Sequence, residues 1–156
     1  MTPTHPVRHY FAYGSNMNSQ RVTQRGLQYS HAQSGELAGF RLVFNKMSRD
    51  HSGCGHANIV YAREALVEGV LYTLESEQEI LKMDPFEHAP WNYGRDVFVV
   101  QTEAGKIWSW SYIANAAVCQ AGLHPSPDYL DHLLAGKPYL SRPYYAELKT
   151  CPTSTM

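Results

Sequence analysis

Glu87 is an acidic residue whose neighbours in the sequence are of types that can shift its pKa. It lies two residues after Pro85 and three before Pro90, with Phe86 and His88 on either side. A carboxylate among aromatic and proline side chains loses part of its hydration, and this raises its pKa towards values useful in a general base. The alternative is a solvated acid on a surface loop, where glutamate usually lies.

A second chemical feature is the Gly14-Ser15-Asn16 segment, which follows the aromatic strand predicted over 9–13. Glycine lets a backbone turn sharply or approach a ligand, and successive N–H groups in such a turn can converge on an anion. Ser15 and Asn16 add side-chain donors, and a helix starting just after them would point its positive end at the same place. The segment therefore suits a small carboxylate, such as the α-carboxylate of an amino acid. The alternative is an ordinary tight turn.

The segment 51–56 (HSGCGH) offers two histidines and one cysteine, which could ligate zinc. No fourth ligand is evident beside it, although His88, His124 or His132 could approach in the folded chain. Cys54 could act as a nucleophile only with a histidine next to it in space. We favour a glycine-rich connecting loop with incidental histidines, and we predict no metal site.

The composition bounds the class of protein. The chain has 156 residues, a net charge of −1 and a pI of about 6.7, so we expect one domain and neither a nucleic-acid nor a membrane partner. The three cysteines form no CxxC pattern, which favours a reducing compartment. Residues 1–8 lack an apolar signal-peptide core and no apolar run approaches ~20 residues, so we predict a cytoplasmic protein. The oligomeric state is left open.

The patterning predicts more strand than helix. Short apolar or alternating runs predict strands over 9–13, 36–45, 57–61, 65–74, 96–102 and 106–114, the last two paired through a turn near Ala104-Gly105. Segments 46–56 and 85–94 read as irregular. This order favours an α+β fold with a mainly antiparallel, barrel-like sheet.

Three helices are predicted from their end signals. One covers 18–25, with Asn18 or Ser19 as N-cap. Another begins at Ser76, where Glu79 three residues later completes a capping-box pattern, and stops before Pro85. A C-terminal helix begins at Ser126-Pro127 and ends at Gly136. We expect a single domain over 1–156, with flexible ends at 1–7 and 150–156.

The sequence YFAYGSNM at 10–17 resembles the YFAYGSN signature of the γ-glutamylcyclotransferase superfamily, which includes the AIG2-like proteins. Further resemblances follow in chain order: GVLY at 69–72 is similar to a WGVVW-like strand, MDPFE at 83–87 to an LDxxE segment, SYI at 111–113 to a SYL-like strand, and 125–129 with 136–144 to a PSPxY…G…LPxxY stretch. Together they cover nearly the whole chain.

The resemblance implies a compact β-barrel with flanking helices, and an enzyme that needs neither a metal nor an organic cofactor. Its substrate would be a small γ-glutamyl compound with a free α-amine, which closes to 5-oxoproline and releases an amino acid or amine. Glu87 would be the catalytic acid/base. The implied substrate-binding residues are Tyr10, Phe11, Ala12, Tyr13, Gly14, Ser15, Asn16 and Tyr144. Tyr145 is the neighbouring alternative to Tyr144.

The sequence also departs from the family pattern near the acid. His88 stands where the family usually has glycine, and residues 88–92 (HAPWN) are unlike its common EGV pattern. The glutathione-specific branch usually reads YGSL at the loop, so Asn16 argues against that branch. The alternative function is a non-catalytic module on the same fold that binds a small carboxylate or a protein.

Overall fold

Five strands form the frame of the structure, which is a computed structural model describing residues 6–154. The strands are β1 (His9–Ala12), β2 (Tyr29–Met47), β3 (Gly55–Leu74), β4 (Tyr93–Thr102) and β5 (Gly105–Ala114). Outside them lie the helices α1 (Ser19–Gln24), α2 (Pro127–Leu134) and α3 (Arg142–Lys149). Short 3-10 turns occupy Ser15–Met17, Glu79–Lys82, Ala116–Val118 and Lys137–Tyr139. Residues 1–5 and 155–156, which belong to the ends expected to be flexible, lie outside the described residues.

The strands close into a barrel in the order β1-β3-β2-β4-β5. β1 runs parallel to β5, where Tyr10 is the partner of Trp110, and the other neighbouring strands are antiparallel. The predicted α+β fold with a mainly antiparallel barrel and flanking helices is therefore confirmed. Among residues 6–154, no helix is both long and apolar enough to cross a bilayer.

β2 and β3 are much longer than predicted and pair along most of their length. The break predicted between 61 and 65 is wrong, because β3 continues through these residues. The chain accommodates the irregularity at Glu64, which takes a left-handed conformation (φ 68°). Pairing passes from Phe40–Tyr61 to Ala38–Leu66 across this irregularity, as expected of a β-bulge. The connecting loop is correspondingly shorter than 46–56.

The helix predicted from Ser76 is wrong. The segment holds only the 3-10 turn Glu79–Lys82, with no side-chain cap. The Glu79 carboxylate accepts hydrogen bonds from the backbone N–H of Gln28 and from Lys82 Nζ, each at 2.8 Å, instead of closing a capping box. A contact with a residue distant in sequence has replaced the local one.

The other helix ends follow their local signals. Asn18 caps α1 by accepting from Gln20 N, and Ser126 caps α2 by accepting from Tyr129 N. α2 ends just before Gly136, but this glycine has φ −78° and does not serve as a left-handed cap. An added Cβ would lie 2.9 Å from the Cβ of Met17, so close packing explains the glycine.

The core has two parts, and β1 contributes to both because successive side chains of a strand point to opposite faces. Phe11 and Tyr13 pack with residues of β2, β3 and β4 in one cluster. Tyr10 and Ala12 join a second cluster that reaches residues of all three helices. The strand is therefore buried on both faces, and the segment that follows it starts from a rigid position.

Candidate functional site

A small pocket of about 40 Å³, here called the inner pocket, lies where β1 ends. It is lined by Glu87 and by six of the predicted binding residues: Tyr10, Phe11, Tyr13, Gly14, Ser15 and Asn16. Ala57, Tyr93, Ser111, Tyr112 and Tyr129 complete the wall. The fold thus brings the predicted acid and most of the predicted cradle together, although Asn16 and Glu87 are 71 residues apart in sequence.

Two predicted binding residues do not line this pocket. Ala12 packs into the core cluster that faces the helices. Tyr144 lies on α3 and lines a separate groove of about 570 Å³ between that helix and residues such as Arg41 and Leu66. Tyr145 does not line the inner pocket either, and its ring lies beside the ammonium groups of Lys137 and Lys149. No residue of α3 lines the inner pocket, so neither tyrosine lies beside Glu87 there.

Glu87 lies in a series of turns between the 3-10 turn Glu79–Lys82 and β4. Its backbone N–H donates to the carbonyl of Met83 at 3.1 Å. The next residue, His88, has φ 51°, a left-handed conformation that glycine adopts most easily. This backbone geometry accounts for the glycine that the resemblance places at the position after the acid.

The segment carrying Glu87 is held at both ends. Near its start, the carboxylate of Asp84 accepts two hydrogen bonds from the guanidinium of Arg95, at 3.0 and 3.1 Å. Near its end, Asn115 Nδ2 donates to the carbonyl oxygens of Pro90 and Trp91, at 2.6 and 2.7 Å. Such paired contacts limit the freedom of the residues between them.

Asn16 links the acid to the loop after β1. Its side chain is almost fully buried, and Nδ2 donates to Tyr10 Oη at 2.8 Å and to Glu87 Oε1 at 3.3 Å. Its Oδ1 accepts from the guanidinium of Arg25 at 3.0 Å, which sets the orientation of the amide. The hydroxyl of Tyr72 donates to the Asn16 carbonyl at 2.7 Å, which fixes the backbone at this residue. The loop and the acid are therefore positioned as one unit.

Burial raises the pKa of Glu87 to about 7. Part of the residue contacts solvent, but its carboxylate faces the inner pocket and loses its hydration there. The positive charges of Arg25, Arg21 and Lys46 oppose this increase, whereas Asp84 adds to it. A carboxyl group with a pKa near 7 is present in both forms at neutral pH, so it can accept one proton and later return it.

Two tyrosine hydroxyls in the wall keep a proton to donate. Tyr10 Oη accepts from Asn16, and Tyr129 Oη accepts from the backbone N–H of Ala57 at 2.9 Å. Neither donates a hydrogen bond to another described residue within the distance limits of such a bond. Burial raises the pKa of Tyr129 to about 12 and that of Tyr10 well above its usual value, so both are neutral donors at pH 7.

Part of this wall was missed in the sequence. Tyr129 belongs to the segment 125–129 that resembles the family's PSPxY motif, and that match was a usable signal. Tyr93 lies in the segment 85–94 that reads as irregular, although the structure places it at the start of β4. Tyr112 lies in the strand pattern 106–114, within the SYL-like match at 111–113, and this pattern is equally typical of a packed core. Their hydroxyls bond to the Ala57 carbonyl and to Asp84, respectively.

A second cavity of about 340 Å³, here called the outer basin, adjoins the inner pocket. The two share Ser15, Glu87, Tyr93 and Tyr129, so Glu87 lies at their junction. The rest of the outer basin is mainly charged, being lined by Arg21, Arg25, Lys46, Arg49, Asp50, His56, Phe86 and His88. The site therefore has a small, hydroxyl-rich interior and a charged entrance.

The segment 51–56 takes part in packing. The ring of His56 stacks on that of Tyr129, with centroids 4.5 Å apart, and Cys54 is buried. Among residues 6–154, no three His, Cys, Asp or Glu side chains are grouped in a way that could hold a metal ion.

The site thus combines a closed barrel with a largely buried acid and a Gly-Ser-Asn turn that line one small pocket. The family model for gamma-glutamyl cyclotransferase, AIG2-like proteins matches residues 10–131. The chain therefore belongs to the AIG2-like gamma-glutamyl cyclotransferase family. A search of curated protein sequences finds no match.

Solved structures share the fold. Uncharacterized protein loc79017 from Homo sapiens has a TM-score of 0.83 at 24% identity, with 97% of this chain and 92% of that chain covered. A gamma-glutamyl cyclotransferase has a TM-score of 0.81 at 24% identity, covering 95% and 89%. A yeast cyclotransferase specific to glutathione is more distant, with a TM-score of 0.64 at 15% identity, covering 90% and 93%. At these identities the likeness establishes the fold.

Proposed function

We propose that this protein is a γ-glutamylcyclotransferase, which converts a γ-glutamyl compound with a free α-amine into 5-oxoproline and a released amine. The observation that carries the proposal is the position of Glu87. Its carboxylate, with a pKa raised to about 7, faces the same small pocket as the Gly14-Ser15-Asn16 turn. Family membership and the cyclotransferase fold support the same reaction class.

The γ-glutamyl group would occupy the inner pocket with its α-carboxylate at the turn Ser15–Met17. The first N–H groups of such a turn have no partner within it, and they can bind an anion. A chain held bent in this way places the α-amine near its own γ-carbonyl carbon. Well-oriented intramolecular reactions reach effective molarities of roughly 10⁵ M or more, so orientation supplies much of the catalysis.

Proton transfer would then be the task of Glu87. An α-ammonium group has a pKa of about 8 and cannot attack while protonated. The Glu87 carboxylate accepts one of its protons, and the free amine forms the new C–N bond of the five-membered lactam. As the original amide C–N bond breaks, Glu87 returns the proton to the leaving nitrogen. The second proton that the ring nitrogen must lose then passes through Glu87 to the released amine, which departs as an ammonium ion. One carboxyl group performs both steps, and the charges balance.

The tetrahedral intermediate carries negative charge on the former carbonyl oxygen. The hydroxyls of Tyr10 and Tyr129 are neutral donors that face this pocket and have a proton free to give. We assign these two hydroxyls to stabilising that oxygen. Donors held in place before the reaction are among the largest contributions to such catalysis.

The test is direct detection of the product. Purified protein is incubated with γ-glutamyl amino acids, γ-glutamylamines and glutathione, and 5-oxoproline is measured by mass spectrometry. Glu87→Gln serves as the inactive variant. Glu103→Gln, which makes the same change on an exposed turn, serves as the matched control. We expect product with the wild type and the control and none with Glu87→Gln.

Two results would contradict the proposal. Turnover by Glu87→Gln close to that of the wild type would remove Glu87 from the reaction. Absence of 5-oxoproline from every compound would instead favour a non-catalytic module that binds a small carboxylate. The three cysteines are free thiols, and the reducing compartment and cytoplasmic location stay predictions.

A further inference from the structure

The outer basin presents an excess of positive charge. Arg21, Arg25, Lys46 and Arg49 line it, against the two acids Asp50 and Glu87. The ion pairs found among residues 6–154 are Lys82–Glu79 and Arg95–Asp84, and neither involves a cation of the basin. Four cationic side chains therefore share one cavity without a carboxylate close enough to pair with any of them.

Lys46 is the most informative of these side chains. Only 3% of its surface is exposed, and it forms no hydrogen bond and no ion pair with a described residue through its ammonium group. The ammonium lies 5.9 Å from the centroid of the Tyr93 ring. A lysine is rarely this little exposed without a partner, and a bound anion in the basin would offset the hydration that its side chain has lost.

The basin also holds a polar atom that is fully buried. Arg21 Nε is buried and has no hydrogen-bond partner, although Nη1 of the same guanidinium lies 3.2 Å from His132 Nε2. Burial and the nearby charge of Arg49 lower the pKa of Lys46, so an anion beside it would restore the stability of its charged form. Both observations indicate that the basin is built for a negatively charged group.

The position of the basin identifies which part of a substrate would enter it. The inner pocket and the basin meet at Ser15, Glu87, Tyr93 and Tyr129. If the γ-glutamyl group fills the inner pocket, then the bond to be broken lies at Glu87. The leaving amine must extend from there into the basin.

We propose that the basin selects γ-glutamyl substrates whose leaving amine carries additional anionic groups, either the two carboxylates of a dicarboxylic amino acid or a phosphate. This inference rests on the proposed function. Amines with an extra positive charge, such as lysine, are disfavoured because four cations already line the cavity. Lys46, as the most buried cation, contributes most to the preference.

Matched substrate pairs test this selectivity. γ-Glutamyl-glutamate is compared with γ-glutamyl-glutamine, which has the same shape and lacks one charge, and γ-glutamyl-phosphoserine is compared with γ-glutamyl-serine. We expect kcat/KM to be about tenfold higher or more for the anionic member, as measured for close charge pairs in protein complexes. A preference in the first pair alone identifies dicarboxylic amines, and one in the second alone identifies phosphorylated amines. Equal rates within both pairs overturn the inference and leave the proposed function intact.

Variants test whether the cations of the basin cause the preference for anionic substrates. Lys46→Met removes the buried ammonium while keeping a long side chain, and we expect the preference to fall several-fold. Lys106→Met removes a positive charge from an exposed position on β5, and it should preserve the preference. If Lys46→Met does not fold, then Arg49→Gln, at an exposed edge of the basin, replaces it. A preference that survives in the basin variant that folds would contradict the assignment.

A failure of the proposed function is recognised separately. If no substrate yields 5-oxoproline, then the binding of glutamate and glutamine to the wild-type protein is compared by calorimetry. Tighter binding of glutamate, lost in Lys46→Met, supports an anion site at the basin. Equal binding of the two amino acids overturns it.

Discussion

Replacing Glu87 with glutamine should make the protein more stable at high pH. The folded state holds the Glu87 pKa at about 7, compared with 4.5 for an ordinary glutamate. The folded protein therefore binds this proton more tightly than the unfolded chain does. Between these two pH values the unfolding free energy of the wild type falls as the pH rises, and above about 7 the loss is complete. At about 1.4 kcal/mol per pKa unit, the loss amounts to about 3 kcal/mol.

Glu87→Gln avoids this loss because the amide carries no charge at any pH. The substitution keeps the size of the side chain and retains Oε1 as an acceptor for Asn16. We expect its unfolding free energy at pH 8 to exceed that of the wild type by about 3 kcal/mol, and to be nearly equal to it at pH 4.5. For a chain of this length the gain at pH 8 raises Tm by roughly 10 °C.

The assay is urea unfolding at several values from pH 4.5 to pH 8, with Glu103→Gln as the control for the same chemical change on an exposed turn. The control should change the unfolding free energy by less than about 0.5 kcal/mol at every pH. The reasoning is refuted if Glu87→Gln behaves like the control, or if its gain is as large at pH 4.5 as at pH 8. In either case the Glu87 carboxylate is not destabilised by burial, and the physical argument for a base at this position fails.

Further predictions concern activity and packing. Between pH 5 and pH 9, kcat/KM should rise with pH and level off above about pH 7, because Glu87 must be ionised to accept a proton. A profile without this acidic rise would count against Glu87 as the base. Asn16→Ala should lower kcat/KM on the order of tenfold or more. It should also move the rise of kcat/KM to higher pH, because the ionised Glu87 carboxylate loses a hydrogen-bond donor. A rise at unchanged pH would show that the contact does not act on Glu87. Gly69→Ala should destabilise the fold by about 3 kcal/mol in urea unfolding, because its Cβ would overlap the carbonyl oxygen of Ala12. Gly94→Ala is the control, since its Cβ would have no neighbour closer than 3.8 Å, and equal losses in both would refute the argument.

Features set by neighbouring residues could be predicted from the sequence. The caps at Asn18 and Ser126 satisfy N–H groups two or three residues away, so their signal is local and sufficient. The hairpin of β4 and β5 likewise follows from alternating strands around a short turn. The proximity of Glu87 to the residues after β1 was expected from the family resemblance. Family motifs can indicate contacts between residues distant in sequence, which a local pattern cannot.

Features that depend on distant partners could not be predicted. Ser76 and Glu79 form the pattern of a capping box, but Gln28 and Lys82 bond the carboxylate instead. The resemblance placed Tyr144 in the binding site, whereas in the structure it lies on α3 and lines another groove. The outer basin combines residues from α1, β2 and the segment around Glu87, and a near-neutral net charge gives no hint of such a local concentration.

The anchoring of the segment around Glu87 has a consequence for how this protein can diversify. Asp84 is held by Arg95 and the backbone at 90–91 by Asn115, so the acid stays in place whatever the exposed side chains between these anchors are. Phe86 and His88 are exposed within this span and line the outer basin. Under the proposed function, mutation at these two positions can remodel the entrance without displacing Glu87, so new specificities can arise while the chemistry is inherited unchanged.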